Sequence, residues 1–207
     1  MAAGEMNWPA TSLAYRAASE LREMRTPGRS TPAAAFHAAR QVFLASEKLD
    51  MRRLAAHLEV GRTTLYRWSG GREQLIIDVI WSFTDAAVEA AWTTNADLEG
   101  VARLLGTARS YLQVLTSFAP LAAFLRNETH FALRLLTSGP YQQRLVAKVE
   151  RLLQEEAERA GLELRAESGL LAYATVRLLE GFAYNDSIAD LDVRTDDALE
   201  ILTLILT

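Results

Sequence analysis

The stretch LDMRRLAAHLEVGRTTLYRWSGGREQL, residues 49–75, constrains the fold of this chain more than any other segment. It begins with a predicted short helix over 51–58, whose inward face consists of Leu54, Ala55 and Leu58. A tight turn follows at 59–61, where the valine fills the angle between two helices. A second short helix is predicted over 62–68. Two short helices joined by a turn of three or four residues form a helix-turn-helix.

The exposed face of the second short helix carries cations and hydroxyl groups. Its outward residues are Arg62, Thr63, Thr64, Tyr66 and Arg67, whereas Leu65 and Trp68 face inward. Arginine pairs with guanine edges, threonine contacts bases or thymine methyl groups, and tyrosine and arginine hold phosphates. Arg52 and Arg53 open the first short helix and are candidates for phosphate contacts or, equally, for a solvated face. The alternative for the whole segment is an ordinary helical hairpin that does not bind DNA.

The rest of the chain shows 3.6-residue periodicity and no useful strand-like alternation, which predicts an all-α fold. Besides the two short helices, we predict helices over 12–25, 32–46, 72–94, 97–116, 119–136, 140–160, 167–188 and 195–206. Thr31 as N-cap and Pro32 at the first helical position begin the helix that completes a three-helix module. We therefore expect an N-terminal extension over 1–30, a helix-turn-helix domain over 31–75 and a helical body over 76–207.

Charge is distributed unevenly along the chain. Residues 1–75 carry 11 basic and 7 acidic side chains, and residues 76–207 carry 11 basic and 19 acidic ones. A basic head on an acidic body is typical of a DNA-reading domain attached to another function, although chance is an alternative. Four arginines of the predicted extension either reach the DNA backbone or lie solvated on a helix that packs against the body: Arg16, Arg22, Arg25 and Arg29.

The sequence lacks the residues that several other functions need. Without cysteine, disulfides, thiol catalysis and cysteine-based zinc sites are excluded. His37, His57 and His130 lie far apart, and no serine motif or phosphate-binding glycine loop occurs. We therefore expect no catalytic site, metal or cofactor, although an enzyme built on a helical bundle stays an alternative. No secretory signal and no apolar run of ~20 residues is present, so we expect a cytoplasmic protein without a membrane span.

The helix-turn-helix segment resembles the TetR family of transcriptional repressors. Their pattern is a first helix that contains phenylalanine, a short I-A-x-x-A-G-V-S segment and a recognition helix that ends in T-L-Y-x-x-F. The counterparts in this chain are Phe43, Leu54-Ala55, Val60, Thr64-Leu65-Tyr66 and Trp68. The downstream GREQL at 71–75 is similar to the K-E-x-L that opens the family's fourth helix. This resemblance implies a dimeric repressor that binds operator DNA and releases it when a small molecule binds.

The segment departs from the family pattern at three places. Glu59 stands where the family has its turn glycine, which costs roughly 1 kcal/mol if this residue is left-handed. Gly61 replaces the usual serine N-cap and caps the helix more weakly. The linker after the recognition helix is one residue longer, and Arg72 takes the place of the family's phosphate-binding lysine. These departures keep open the alternative of a helical interaction protein with a decayed helix-turn-helix.

In a TetR-like body, helices five to eight surround a ligand cavity, which needs an apolar lining and a few polar groups. The residues that this resemblance offers for ligand binding are Tyr111, Phe124, Asn127, His130, Phe131, Arg134, Arg177 and Tyr184, with Glu128 as a further polar candidate. Each of them is alternatively structural. The mixture implies a small, largely apolar effector with one or two polar groups.

The two C-terminal helices, about 167–190 and 195–206, are rich in leucine and alanine. The last one is apolar on more than one face and is therefore expected to be buried on more than one side. The resemblance implies that these helices form a four-helix bundle between two subunits, with packing inside one core as the alternative. The WSGGREQL linker and the extension resemble the QsdR-like branch of the family, which implies a lactone or acyl ester as the effector.

Overall fold

The computed structural model describes residues 30–137, 139–189 and 191–207, and these residues form helices and no strand. The helices are α1 (Pro32–Leu44), α2 (Met51–His57), α3 (Arg62–Ser69), α4 (Arg72–Thr94), α5 (Val101–Ser117), α6 (Ala119–Asn127), α7 (Thr129–Leu136), α8 (Gly139–Ala160), α9 (Ser168–Ile188) and α10 (Thr195–Leu206). The all-α prediction is confirmed. The predicted helix over 12–25 and the four arginines of the extension lie outside the described residues.

Side-chain caps start the first two helices, as their sequences predict. Thr31 Oγ1 accepts a hydrogen bond from the backbone N–H of Ala34 at 3.1 Å, and Pro32 occupies the first turn of α1. Asp50 accepts from the N–H groups of Arg52 and Arg53 at 2.7 and 3.1 Å. These backbone hydrogen bonds lower the pKa of the Asp50 carboxyl. Both caps satisfy N–H groups that a helix start otherwise leaves without partners.

The predicted tight turn between α2 and α3 contains a left-handed residue. Glu59 is left-handed with φ of 54°, so glutamate here carries the expected cost of roughly 1 kcal/mol relative to glycine. Gly61 is the N-cap of α3 and supplies no side-chain hydrogen bond. Val60 is half-buried against the core, and Leu65 is fully buried. The turn therefore holds α3 firmly although its cap is weak.

Two glycines separate α3 from the long helix α4. Gly70 has φ of 66° and Gly71 has φ of 108°, a region that L-residues with a Cβ rarely adopt. Ser69 closes the connection, because its hydroxyl donates to the Leu65 carbonyl at 2.9 Å and accepts from the Gly71 N–H at 3.2 Å. The longer linker is thus an ordered turn that directs α4 away from the head.

Two predicted helix boundaries in the body are wrong. The single helix predicted over 119–136 is two helices, because Glu128 leaves helical geometry with φ of −131° and ψ of 42°. The helix predicted from residue 97 begins at Val101, since Gly100 has φ of 57°. In the first case no proline or glycine marks the break, and a tertiary ion pair of Glu128, described below, accompanies it.

Helices α1 to α3 form the head, and α5 to α10 form the body. The 23-residue helix α4 runs from the head into the body across the expected boundary at 75–76. One continuous core connects the two parts through its buried residues, among them Phe43 of α1, Ile76 of α4 and Phe124 of α6. Helix α6 is therefore in direct packing contact with α1, where the Phe124 and Phe43 ring centroids lie 5.8 Å apart.

A buried ion pair anchors the far end of the body. Glu156, with no exposed surface, accepts from Arg103 Nη1 at 2.9 Å and from the backbone N–H of Gly100 at 2.6 Å. The Arg103 guanidinium also stacks on Trp92, 3.5 Å from the ring centroid. These contacts fix the start of α5 against α4 and α8.

Within the described part of the chain, no helix is both long and apolar enough to cross a membrane. The same residues contain no cluster of histidine, aspartate or glutamate that could hold a metal ion.

Candidate nucleic-acid interface and internal cavity

Helix α3 presents one face to the core and a polar face to solvent. Arg62, Thr63, Tyr66 and Arg67 are exposed, and Thr64 is half-buried. Trp68 packs against the core from its half-buried position, as the sequence predicts. The apolar side of α3 therefore anchors the helix, and hydroxyl and guanidinium groups cover the other side.

The cations of this surface are available for an external partner. Among the described residues, Arg52, Arg62 and Arg67 make no ion pair, and all three side chains are exposed. Arg53 lies 3.9 Å from Glu47, but both side chains are well exposed and the contact is weak. These arginines lie on α2 and α3, two helices that contact each other. The arrangement suits contact with a polyanion.

Arg72 is placed differently from the other predicted DNA-binding residues. Its Nη2 lies 2.7 Å from both carboxylate oxygens of Glu128, and its Nε donates to the Leu49 carbonyl at 2.8 Å. The guanidinium also lies 4.6 Å from the centroid of the Phe131 ring. In this conformation Arg72 joins the head to the body and is not directed outward to a phosphate.

The body contains an apolar cavity between α4, α5, α8, α9 and α10. The centre of a water molecule can occupy about 70 Å³ of it. Its apolar wall consists of Val88, Trp92, Leu104, Ala108, Leu115, Leu145, Val149, Leu152, Leu153, Val176, Leu179, Leu202 and Leu206. One water needs about 10–15 Å³ of such volume, so the space accommodates a small molecule of several heavy atoms.

Four polar residues interrupt this apolar wall. They are Thr107 and Tyr111 on α5 and Thr175 and Glu180 on α9. Burial raises the pKa of the Glu180 carboxyl to about 7, and Arg177 opposes this shift. Burial also raises the pKa of the Tyr111 hydroxyl well above its ordinary value. One residue with a carboxyl group that titrates near neutrality and three residues with hydroxyl groups therefore contribute to the wall of an otherwise apolar space.

Of the eight residues predicted to bind a ligand, only Tyr111 lines this cavity. Phe124 lines a smaller cavity at the head–body junction together with Phe43 and Glu128. Tyr184 is buried and interacts electrostatically with Tyr141 and Glu180, but it is not part of the cavity wall. These two aromatic residues are buried, as expected, at sites outside the cavity.

The other five predicted ligand residues also lie outside the cavity wall. Asn127 and His130 are exposed, and Arg134 is paired on the surface with Glu73 at 3.1 Å. Phe131 packs edge-to-face on Phe124. Arg177 donates to the Thr137 carbonyl at 2.7 Å and lies 3.5 Å from Glu180. Four of these five residues lie on α6 and α7, which cover the head–body junction, whereas the cavity lies deeper between α5, α8 and α9.

Sequence reasoning missed Thr107, Thr175 and Glu180. A helical-phase argument finds two of them, because the buried positions of α9 recur at Leu171, Ala172, Thr175, Val176, Leu179, Glu180, Ala183 and Tyr184. A carboxylate on such an apolar face either needs a buried partner or marks a site. Thr107 gives no comparable indication, since threonine is common in both buried and exposed helical positions.

Exposed apolar side chains concentrate on the two C-terminal helices and on the connection between them. Five of the eight exposed large hydrophobic residues among those described lie at Leu170, Tyr173, Leu191, Ile201 and Leu204. The inward side of α10 is instead buried in its own subunit, where Leu202 is 1% exposed. The apolar faces of α10 thus divide into one that completes the cavity and one that faces solvent.

One family model and two solved structures that are similar to this chain all concern the same family of regulators. Residues 99–207, more than half of the chain, match the family described as tetracyclin repressor-like, C-terminal domain. The structure of the transcriptional repressor QsdR of the TetR family from R. erythropolis is similar, with a TM-score of 0.77 and 26% identity over 84% of this chain and 93% of that one. A TetR-family transcriptional regulator from Pectobacterium atrosepticum shares the fold, with a TM-score of 0.61 and 21% identity over 91% and 94% of the two chains. The search of curated proteins found no match.

Proposed function

Since this chain belongs to the TetR family of transcriptional regulators, we propose that it is a dimeric repressor that binds operator DNA through α3 and leaves it when a small molecule fills the body. The family consists of regulators and not of enzymes. We propose repression, rather than activation, because the similar structure is described as a transcriptional repressor. A repressor that reaches chromosomal operators acts in the cytoplasm.

The observation that carries DNA binding is the division of α3 into a buried anchor and an exposed polar face. Leu65 is fully buried, whereas Tyr66 is 50% exposed and stands beside Arg62 and Arg67. A recognition helix needs this arrangement, because the base edges of the major groove are read by side chains on a rigidly held helix. Thr63 and Thr64 complete the surface that we assign to base and phosphate contacts, and Arg52 and Arg53 are assigned to the backbone.

We assign dimer formation to the exposed apolar residues of α9 and α10. Tyr173 and Leu204 are among the large hydrophobic side chains that solvent contacts in the single chain. Apolar side chains of this size are stabilised when a second copy covers them. A two-fold dimer then presents two α3 helices to successive major grooves, so the operator is an inverted repeat.

We assign effector binding to the apolar cavity of the body. It touches α4, which runs into the head, and α10, which also carries Leu204 of the proposed dimer surface. A ligand that fits only the conformation with the wrong spacing of the two heads shifts the population away from DNA. The hydroxyls of Tyr111, Thr107 and Thr175 can donate to the carbonyl of the lactone or acyl ester that the branch resemblance implies.

A gel shift with the DNA upstream of the protein's own gene tests the proposal. We expect a salt-sensitive complex, which Arg62→Ala weakens by about 1–3 kcal/mol if Arg62 pairs with a guanine. Arg165→Ala, on the exposed α8–α9 connection, is the matched control and is expected to leave the complex unchanged. An absence of any shift, in a protein with intact helicity, would favour a helical interaction protein with a decayed helix-turn-helix.

A further inference from the structure

The cavity wall contains four buried polar atoms whose hydrogen-bonding capacity is unused. Thr107 Oγ1, Tyr111 Oη, Thr175 Oγ1 and Glu180 Oε1 have no hydrogen-bond partner among the described residues. Each of these side chains is more than nine-tenths buried and lines the cavity. Buried polar atoms without partners are costly, so four on one cavity wall indicate a site for a polar group of a ligand.

Glu180 decides what kind of polar group this is. Its other oxygen, Oε2, lies 3.5 Å from Arg177, whose guanidinium also donates to the Thr137 carbonyl. An ionised carboxylate only accepts hydrogen bonds, whereas the three hydroxyl groups donate or accept. Oε1 therefore accepts from a donor, for which the Gln142 amide and the Tyr184 hydroxyl compete with a ligand group. The hydroxyls adapt to whichever group supplies it.

The charge around the cavity disfavours an anionic ligand. Arg103 packs against the cavity residue Trp92, but Glu156 neutralises it at 2.9 Å. Arg177 is already shared between Glu180 and a backbone carbonyl. The groups that interact with Glu180 from α8 and from its own helix are Gln142, Arg177 and Tyr184, so none of them is a cation free for a ligand anion. A carboxylate in the cavity would face Glu180 without compensation.

Resting on the proposed ligand-responsive function, we propose that the cavity selects an apolar molecule whose head group donates a hydrogen bond to Glu180, a hydroxyl or an amine, and rejects the same molecule with a carboxylate head. The apolar wall holds the hydrocarbon part, and Tyr111, Thr107 and Thr175 surround the head. An ester or lactone that carries a hydroxyl or N–H group satisfies this requirement as well. One that offers only acceptors gains no hydrogen bond from Glu180 Oε1.

Four six-carbon probes test the head-group preference by isothermal titration of the full chain at pH 8 without DNA: 1-hexylamine, 1-hexanol, hexanoate and γ-hexalactone. We expect 1-hexylamine and 1-hexanol to bind. Hexanoate should bind at least about tenfold more weakly than either of them. Glu180→Gln should weaken the binding of 1-hexylamine by about tenfold and reduce the difference in affinity between 1-hexylamine and hexanoate. Glu158→Gln, on the exposed face of α8, should leave the order of affinities unchanged.

A second variant locates the binding. Ala108 lines the cavity, so Ala108→Leu narrows it. This variant should lower the affinity of every probe that binds without changing the order of affinities among the head groups. Hexanoate or the lactone binding as tightly as hexanol, an unchanged order in a folded Glu180→Gln variant, or the absence of binding by all four probes would overturn the donor-head proposal. Because no DNA is present, these outcomes are separate from a failure of operator binding, which the gel shift reports.

Discussion

Arg72 at the start of α4 forms an ion pair with Glu128 at the break between α6 and α7, and its Nη2 lies 2.7 Å from both carboxylate oxygens. The pair is only partly exposed, and it spans the head and the body. It also accompanies the interruption of a helix that would otherwise be continuous. The position of the α6–α7 corner is therefore tied to the first turn of the helix that follows α3.

A double-mutant cycle measures this link. With Arg72→Met, Glu128→Gln and the combined variant, we expect a coupling free energy of about 1–2 kcal/mol in chemical unfolding, because removing one partner leaves the other charge poorly solvated. The exposed pair Arg53 and Glu47, 3.9 Å apart, serves as control with a coupling of about 0–0.5 kcal/mol. Equal coupling in the two cycles would contradict a structural role for Arg72.

Glu180 makes the stability of the body depend on pH. Its pKa is about 7 in the folded protein against an ordinary 4.5, so folding favours its protonated form. This contribution is fully present below pH 4.5 and is lost as the pH rises through about 7, and it amounts to at most about 3 kcal/mol. The wild-type free energy of unfolding should fall relative to that of Glu180→Gln between pH 5 and 8. A constant difference across this range would contradict the buried placement of Glu180.

The left-handed turn residue Glu59 offers a stabilising substitution. Its φ of 54° is strained for any residue with a Cβ, so Glu59→Gly should raise the free energy of unfolding by about 0.5–1 kcal/mol. Glu158→Gly, in the exposed helical part of α8, should lower it by about 1 kcal/mol. Thermal or urea unfolding compares the two variants. A loss of stability in Glu59→Gly would refute the assigned turn conformation.

The exposed face of α10 belongs to the proposed dimer interface. Leu204 is 72% exposed, so Leu204→Glu should leave the fold intact and convert the dimer to monomers in sedimentation velocity. Leu44→Glu, at another exposed leucine on α1, is the control and should remain dimeric. Leu202→Glu should instead unfold the protein, because Leu202 is 1% exposed. A wild-type monomer at micromolar concentration would contradict the proposed interface.

The success of the sequence-based predictions depends on whether local chemistry determines a feature. Caps at Thr31 and Asp50 and the inward face of α3 follow from residues within a few positions of one another, and all are confirmed. The break at Glu128 and the pairing of Arg72 depend on partners 56 residues apart. Single-sequence reasoning contains no information about such pairs.

Only one of the residues predicted to bind a ligand, Tyr111, lines the apolar cavity of the body. The five predicted residues between 124 and 134 are instead exposed or pack at the head–body junction. Which side of a helix faces inward follows from burial periodicity, and α6 and α7 are too short to establish it. In the 21-residue helix α9 the periodicity is clear and places Glu180 on the buried face.

Selection of binding sites from a random pool of double-stranded DNA by the purified full-length protein tests the central claim most directly. We predict enrichment of an inverted repeat, with half-sites about one helical turn apart. Enrichment should be lost in a variant that combines Arg62→Ala with Arg67→Ala, and kept in Arg165→Ala. If the wild-type protein enriches no sequence, or if the Arg62 and Arg67 variant enriches the same repeat equally well, α3 is not the element that reads DNA.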